Sequence, residues 1–203
     1  MPADRPQLEI TSAAELRDWL EEHHASEPGI WLVTWKKSAD PARHVTYEEV
    51  VREVLCFGWI DSQARPLDEQ RSQLMLTPRK PRSGWSRPNK VRVAELTAAG
   101  LMCPAGLTVV EAAQASGTWT ALDDVENLIE PDELRKALDS DAEARRQWDA
   151  FPRSARRGIL EWIGQAKRPA TRTARVTETV VLAAQGLRAN SWPRPQPVVK
   201  EPS

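Results

Sequence analysis

The chain has 203 residues, 40% of them hydrophobic, which suits one ordinary domain or a domain with a small helical addition. A formal net charge of -1 excludes a general polycationic nucleic-acid coat. Two cysteines make neither a disulfide framework nor a metal spacing, the N-terminal residues lack an apolar signal core, and no apolar run approaches membrane-spanning length. A cytoplasmic protein with no membrane insertion, no metal and no cofactor is therefore expected.

Met1 to Gln7 reads as a loose start. Ser12 with Glu15 three residues on is a capping-box signature, and Leu16, Trp19, Leu20 and His23 follow on one helical face until Pro28-Gly29 ends it. Ile30 to Trp35 is apolar on both faces, which predicts a strand at the centre of its sheet. Thr46 with Glu49 is a second capping box. Tyr47, Val50, Val51, Val54 and Leu55 form the stripe of a second helix, with Gly58 at its C-cap. Trp59 to Arg65 alternates as a strand, Leu67 to Gln70 can turn, and Ser72 to Thr77 can return as a hairpin partner.

Pro78 to Pro88 is a basic loop. Ser86 can cap a helix that has Pro88 in its first turn, carries Val91 and Ala94, and ends at Gly100. Pro104 opens another helix through Leu107, Val110 and Ala113 to Gly117. Thr118 to Glu130 reads as an acidic connector. The remainder is helical: Leu134 and Leu138 after Pro131, a third capping box at Ser140 and Glu143 before Ala144 and Trp148, then stripes at Ile159, Trp162, Ile163 and Ala166, and at Val176, Val180 and Ala183 up to Gly186. The fold class is therefore α+β, a small and mostly antiparallel sheet covered by helices and followed by a C-terminal helical region. The expected division is an α+β domain over 8–120, a helical region over 121–187, separate or packed into the same domain, and a proline-rich disordered tail over 188–203.

Charge is segregated within the neutral total. From Arg71 to Arg92 lie seven cations and no acid; acids dominate from Asp123 to Asp149, and bases again from Arg153 to Arg175. That pattern suggests a local anion site. Bulky aromatics are nine Trp against two Phe and one Tyr, so every aromatic contact in a site would fall mainly to indoles.

Three stretches carry a family resemblance. They are Leu55-Cys56-Phe57-Gly58-Trp59-Ile60-Asp61, Thr77-Pro78-Arg79-Lys80-Pro81 with Trp85-Ser86, and Ala166-Lys167 followed by Thr171-Arg172. They resemble the bacterial YdeI/OmpD-associated family, also labelled bacteriocin-protection proteins, from about the first helix to the last. The resemblance implies a small cytoplasmic protein linked to survival of cationic antimicrobial peptides or to envelope stress. It implies no reaction, cofactor or catalytic residue to carry over.

The residues offer three functions. In the first, Arg79, Lys80, Arg82, Arg87 and Lys90 hold phosphate or carboxylate, Ser86, Asn89 and the following helix start add donors, and Trp59 and Trp85 stack a ring. Lys167, Arg172 and Arg175 form a secondary basic surface, or else pair with the acidic segment and close the fold. The protein is then a non-enzymatic binder of an anionic small molecule or nucleic acid. In the second, the acidic helices meet a cationic protein partner and the chain is an adaptor. In the third, Asp61, two residues past Trp59 on the same strand face, acts with Arg79 and Lys80 in a hydrolase-like reaction. A structural Asp–Arg pair is the bland role for Asp61. Cys56 reads as a buried inert thiol, and His23 and His24, adjacent on a helix, point apart and make no metal site.

Overall fold

The computed structural model describes residues 5–191, and the chain divides into two units, Met1–Ala121 and Leu122–Ser203. In the first unit the strands and helices are β1 (Gln7–Glu9), α1 (Ala13–His23), β2 (Ile30–Trp35), α2 (Tyr47–Cys56), β3 (Trp59–Pro66), β4 (Arg71–Pro78), α3 (Arg87–Ala98) and α4 (Pro104–Ser116). The sheet order is β1-β2-β4-β3. β2 is parallel to β1 and antiparallel to β4, and β3 is antiparallel to β4, so the α+β class with a mostly antiparallel sheet holds. β2 is interior, as its two apolar faces require: Ile30, Trp31, Leu32 and Val33 are all buried.

β1 was not expected; it meets the loose start read for Met1 to Gln7 only at Gln7. Three residues leave no readable alternation, and the strand exists through its pairing with Trp31, Leu32 and Val33. Residues 1–4 and 192–203, including most of the expected tail, lie outside the described residues.

Both expected N-terminal capping signals are used. Thr46 and Glu49 form a complete capping box at the start of α2. At α1 the Ser12 hydroxyl accepts from the Glu15 amide, but the Glu15 carboxylate turns back to Thr11, accepting from its amide at 2.9 Å. One side of α3 was misjudged. Val93 and Leu96 are buried, whereas Val91 is 51% exposed, because Pro88 sets the start of the helix and its core face is fixed by contact with α2. The first core gathers Leu16, Leu20, Leu32, Val54, Leu55, Trp59, Leu76 and Trp85 between sheet and helices.

α4 is drawn against the end of α2. Cys103 donates its amide to the Cys56 carbonyl at 3.1 Å, and a Cβ at Gly106 would come within 2.2 Å of that same oxygen. Glycine at 106 is therefore what lets the two backbones approach.

The second unit contains α5 (Asp123–Glu126), α6 (Asp132–Asp139), α7 (Ala142–Ala150), α8 (Arg153–Gly164) and α9 (Pro169–Ala183). The supposed connector thus holds one helical turn, in which Glu126 is buried. The third capping signature was off by one. Asp141 is the N-cap of α7 and accepts from the Glu143 and Ala144 amides, while Ser140 closes α6. A carboxylate accepting two amides at a helix start outcompetes the neighbouring hydroxyl. Leu134, Leu138, Trp148, Ile159, Ile163, Val176 and Ala183 form a core of their own.

Arg145 binds Glu130 through two nitrogens at 2.9 and 2.8 Å, and the Trp148 indole donates to the same carboxylate at 2.7 Å. Burial alone would raise the Glu130 pKa; the bonds from Arg145 and Trp148 outweigh it and hold the carboxyl below its ordinary range. A depressed carboxylate pKa contributes stability that is present above the unfolded value of about 4.3 and is lost as pH falls through the folded one.

Two outcomes are expected. Gly106→Ala lowers the free energy of unfolding in urea by about 1–3 kcal/mol, because backbone must move; an unchanged midpoint would show that α4 can drift off α2 at no cost. Glu130→Gln destabilises the chain at neutral pH by about 1–3 kcal/mol and flattens the decline of Trp148-reported stability below about pH 4; retention of the wild-type acid profile would remove Glu130 from that account.

Candidate functional site

Arg79 leaves the sheet immediately after Pro78, where its amide donates to the Gly58 carbonyl at 3.0 Å. The side chain turns inward and is only 7% exposed. Its guanidinium lies over the Trp85 ring, 3.8 Å from the centroid, and Nη2 donates to the Gly84 carbonyl at 2.5 Å. Nε and Nη1 are buried without any hydrogen-bond partner. Burial pulls its pKa down to about 10, well below the ordinary guanidinium range, and Asp61 pushes it partly back. The group is therefore a cation at neutral pH, sunk in an apolar setting with two nitrogens unsatisfied.

Beside it opens a cleft of about 260 Å³. One wall is the loop, with Arg79, Lys80, Pro81 and Trp85. The other is α4, with Val109, Ala112, Ala113 and Ser116, and no carboxylate lines either wall. Trp119 tilts against Trp85 at 4.9 Å and Lys90 lies 5.7 Å from the Trp119 ring, which backs the indole pair. The α4 wall was not anticipated from the sequence. The signal was there: Val109, Ala113 and Ser116 share one helical face, and small residues on a face mark a close approach or a space.

The other expected residues scatter. Trp59 is 1% exposed, packed edge-on to Trp19 at 5.9 Å and donating to the His24 carbonyl at 3.1 Å, so its face is part of the core and offers nothing to a ligand. Asp61 accepts from the Tyr47 hydroxyl at 3.0 Å and acts on Arg79 only through space; it does not line the cleft. Ser86 is the N-cap of α3 but makes no side-chain cap bond. Asn89 accepts from Arg92 at 2.9 Å, and Arg87 is exposed. Arg92 itself is turned away onto Glu48.

The second basic block serves its own unit. Arg172 bonds Glu133, and Arg175 donates to the Trp162 carbonyl and lies over the Trp162 ring at 4.8 Å, while Lys167 is exposed. Arg157 pairs with Glu126 at 3.9 Å and Arg145 with Glu130. For Arg172 the fold-closing alternative is the one realised.

Cys56 is buried, and burial raises its thiol pKa, the opposite of what a nucleophile needs. Among the described residues no group of three or more His, Cys, Asp or Glu side chains is placed to hold a metal ion, and no helix is long and apolar enough to cross a membrane.

These features define a two-unit α+β protein whose N-terminal unit carries a cation-lined cleft backed by tryptophans. The chain belongs to the family described as Domain of unknown function (DUF8412), whose model matches residues 8–109, half of its length. Residues 127–186 match a second family model, Bacteriocin-protection, YdeI or OmpD-Associated. The family resemblance read from the sequence is thus met in the C-terminal segment, where Ala166-Lys167 and Thr171-Arg172 lie. The two longer signatures, at Leu55–Asp61 and Thr77–Ser86, fall in the DUF8412 segment. No curated protein and no solved structure matches the chain.

If Arg79 is kept for a ligand, removing its charge should not harm the fold. Arg79→Met keeps the volume and relieves an unpaired buried cation, so its unfolding free energy should equal or exceed that of the wild type within about 1 kcal/mol. Trp85→Ala should lose about 3–5 kcal/mol. A loss of more than about 3 kcal/mol in Arg79→Met would make the arginine structural.

Proposed function

We propose that the protein is a non-enzymatic binding protein of a bacteriocin-protection system, acting in the cytoplasm under cationic-peptide or envelope stress. In this reading its cleft between Arg79 and α4 takes a small ligand with one anionic group and an apolar or flat body. The bacteriocin-protection part of this reading is supported by the family match over residues 127–186. The binding reading is supported above all by one observation, the buried Arg79 guanidinium with Nε and Nη1 unpartnered beside a cleft free of carboxylates. Leaving such nitrogens unsatisfied is costly, and an anion entering the cleft would satisfy them with charge-assisted bonds. The exposed Lys80 on the same wall would add attraction at the mouth.

A small anion is favoured over nucleic acid. Stacking successive bases needs free aromatic faces. Trp59 and Trp85 are each 1% exposed, with their faces taken by Trp19, Arg79 and Trp119. The adaptor reading loses support because acids of the C-terminal unit are spent at home: Glu130 and Asp149 on Arg145, Glu133 on Arg172, Glu143 on Arg146. The hydrolase-like reading loses support because Asp61 is engaged by Tyr47 and does not line the cleft.

Tryptophan fluorescence titrations with inorganic phosphate, benzoate and a short single-stranded DNA test this. Phosphate or benzoate should change the emission saturably, and Arg79→Met should weaken that response by about tenfold to a hundredfold. DNA should bind more weakly than either and lose what binding it has as salt is raised. Silence towards both small anions, or tight DNA binding unaffected by Arg79→Met, would sink the proposal.

A further inference from the structure

A second cavity lies in the N-terminal unit, away from Arg79. It is a groove of about 360 Å³, within the usual range of about 300–1,000 Å³ for small-molecule sites. Its origin is legible in the register. β2 and β4 place Leu32 opposite Leu74 and Thr34 opposite Ser72, and β3 resumes after its irregularity with Ala64 opposite Leu74. The end of the sheet thus carries three small side chains, Thr34, Ser72 and Ala64. Helix α2 begins only at Tyr47, so Val45, Tyr47 and Val50 form a wall beside this end of the sheet instead of filling the space over it.

The lining has an apolar floor and a rim of one sign. Leu32, Leu74, Val45 and Val50 are the apolar part. Lys36, Lys37 and His44 are the ionisable side chains of basic type on the lining, and no Asp or Glu lines it. The Lys36 ammonium is pinned by the carbonyls of Asp68 and Glu69 at 2.8 and 3.0 Å, which fixes its position without cancelling its charge. The His44 Nδ1 sits 2.7 Å from the Trp35 carbonyl, leaving Nε2 as the other ring nitrogen. Lys37 is exposed and, among the described residues, has no carboxylate at ion-pair distance. Nearby carboxylates are engaged away from the lining: Glu49 caps α2 through Thr46, Asp61 accepts from Tyr47, and Glu9 accepts from the Trp35 indole and pairs with Arg71.

We infer that this groove is a second binding site, specific for small amphipathic anions: one carboxylate or sulfonate head at the Lys36–Lys37–His44 rim, and an apolar body over Leu32, Leu74 and Val50. Its occupancy does not depend on Arg79 or on the reading of the other cleft.

Octanoate and 1-octanol separate head from body. Each is titrated into the full chain by amide-detected NMR and calorimetry. Octanoate should shift amides around Thr34, Val45 and Ser72, and 1-octanol should bind about tenfold more weakly. Lys37→Glu, at an exposed position, should weaken octanoate about fivefold and leave 1-octanol unchanged. Ala64→Trp, which fills the mouth, should abolish both, while Arg79→Met should leave both intact. Equal binding of the two probes, insensitivity to Lys37→Glu, or shifts centred on Val109 and Ser116 would overturn the assignment. So would no binding at all.

Discussion

A guanidinium sunk against an indole organises the N-terminal unit. Arg79 ties three pieces of chain together: its amide to Gly58 at the end of α2, its Nη2 to Gly84, and its face to Trp85. The loop from Pro78 to Pro88 is thereby folded under its own cation. Trp85 carries the consequence onward, since it belongs to the core shared with Val54, Leu55, Leu96 and Ala113. The cleft exists because this loop is held from below while α4, brought close by Gly106, stands opposite. An apolar residue at 79 could support the same packing, so the charge is an expense that the fold itself does not require.

Arginine over tryptophan is also how this chain uses its odd aromatic composition. Arg43 lies 3.6 Å from the Trp35 ring centroid, Arg65 lies 4.0 Å from Trp31 and Arg175 lies 4.8 Å from Trp162. A planar cation covers an indole while its edge stays wet, so a large apolar surface is shielded without a second layer of core. Where the edge is wet the contact is mere shielding. At Arg79 the edge is dry, and the same contact leaves nitrogens unsatisfied.

Much of this was legible in the sequence, for reasons that can be named. β2 was readable because a strand buried on both faces cannot alternate, and α2 because its capping box is a local bond. The basic loop with Trp85 stood out by composition. β1 was not readable: three residues owe their strand state to a partner more than twenty positions away. Trp59 was misread because alternation gives the face of a strand but not which face meets the helices. The α4 wall and the groove at Thr34 escaped for a related reason. Each is a space between separate elements: a face of small residues on α4 signals a close approach or a space, but no local pattern says what stands opposite.

Charge segregation was the feature that first suggested an anion site, and its fate differs between the two units. In the C-terminal unit the alternation of acidic and basic blocks resolves into pairs, with Arg145 alone meeting Glu130, Asp139 and Asp149. Such pairs are partly exposed and contribute little individually. In the N-terminal unit Arg17, Arg52, Arg71 and Arg92 are likewise paired with Glu53, Glu95, Glu9 and Glu48. Arg79 is not paired, and neither are the lysines at the two cavities in the ion pairs of the described residues, Lys80 at one and Lys37 at the other. Acids are abundant in this chain, so their absence from both linings is not a shortage of partners. Uncompensated cations on a recessed lining free of acids are what distinguishes a recess suited to anions from a face that is merely charged.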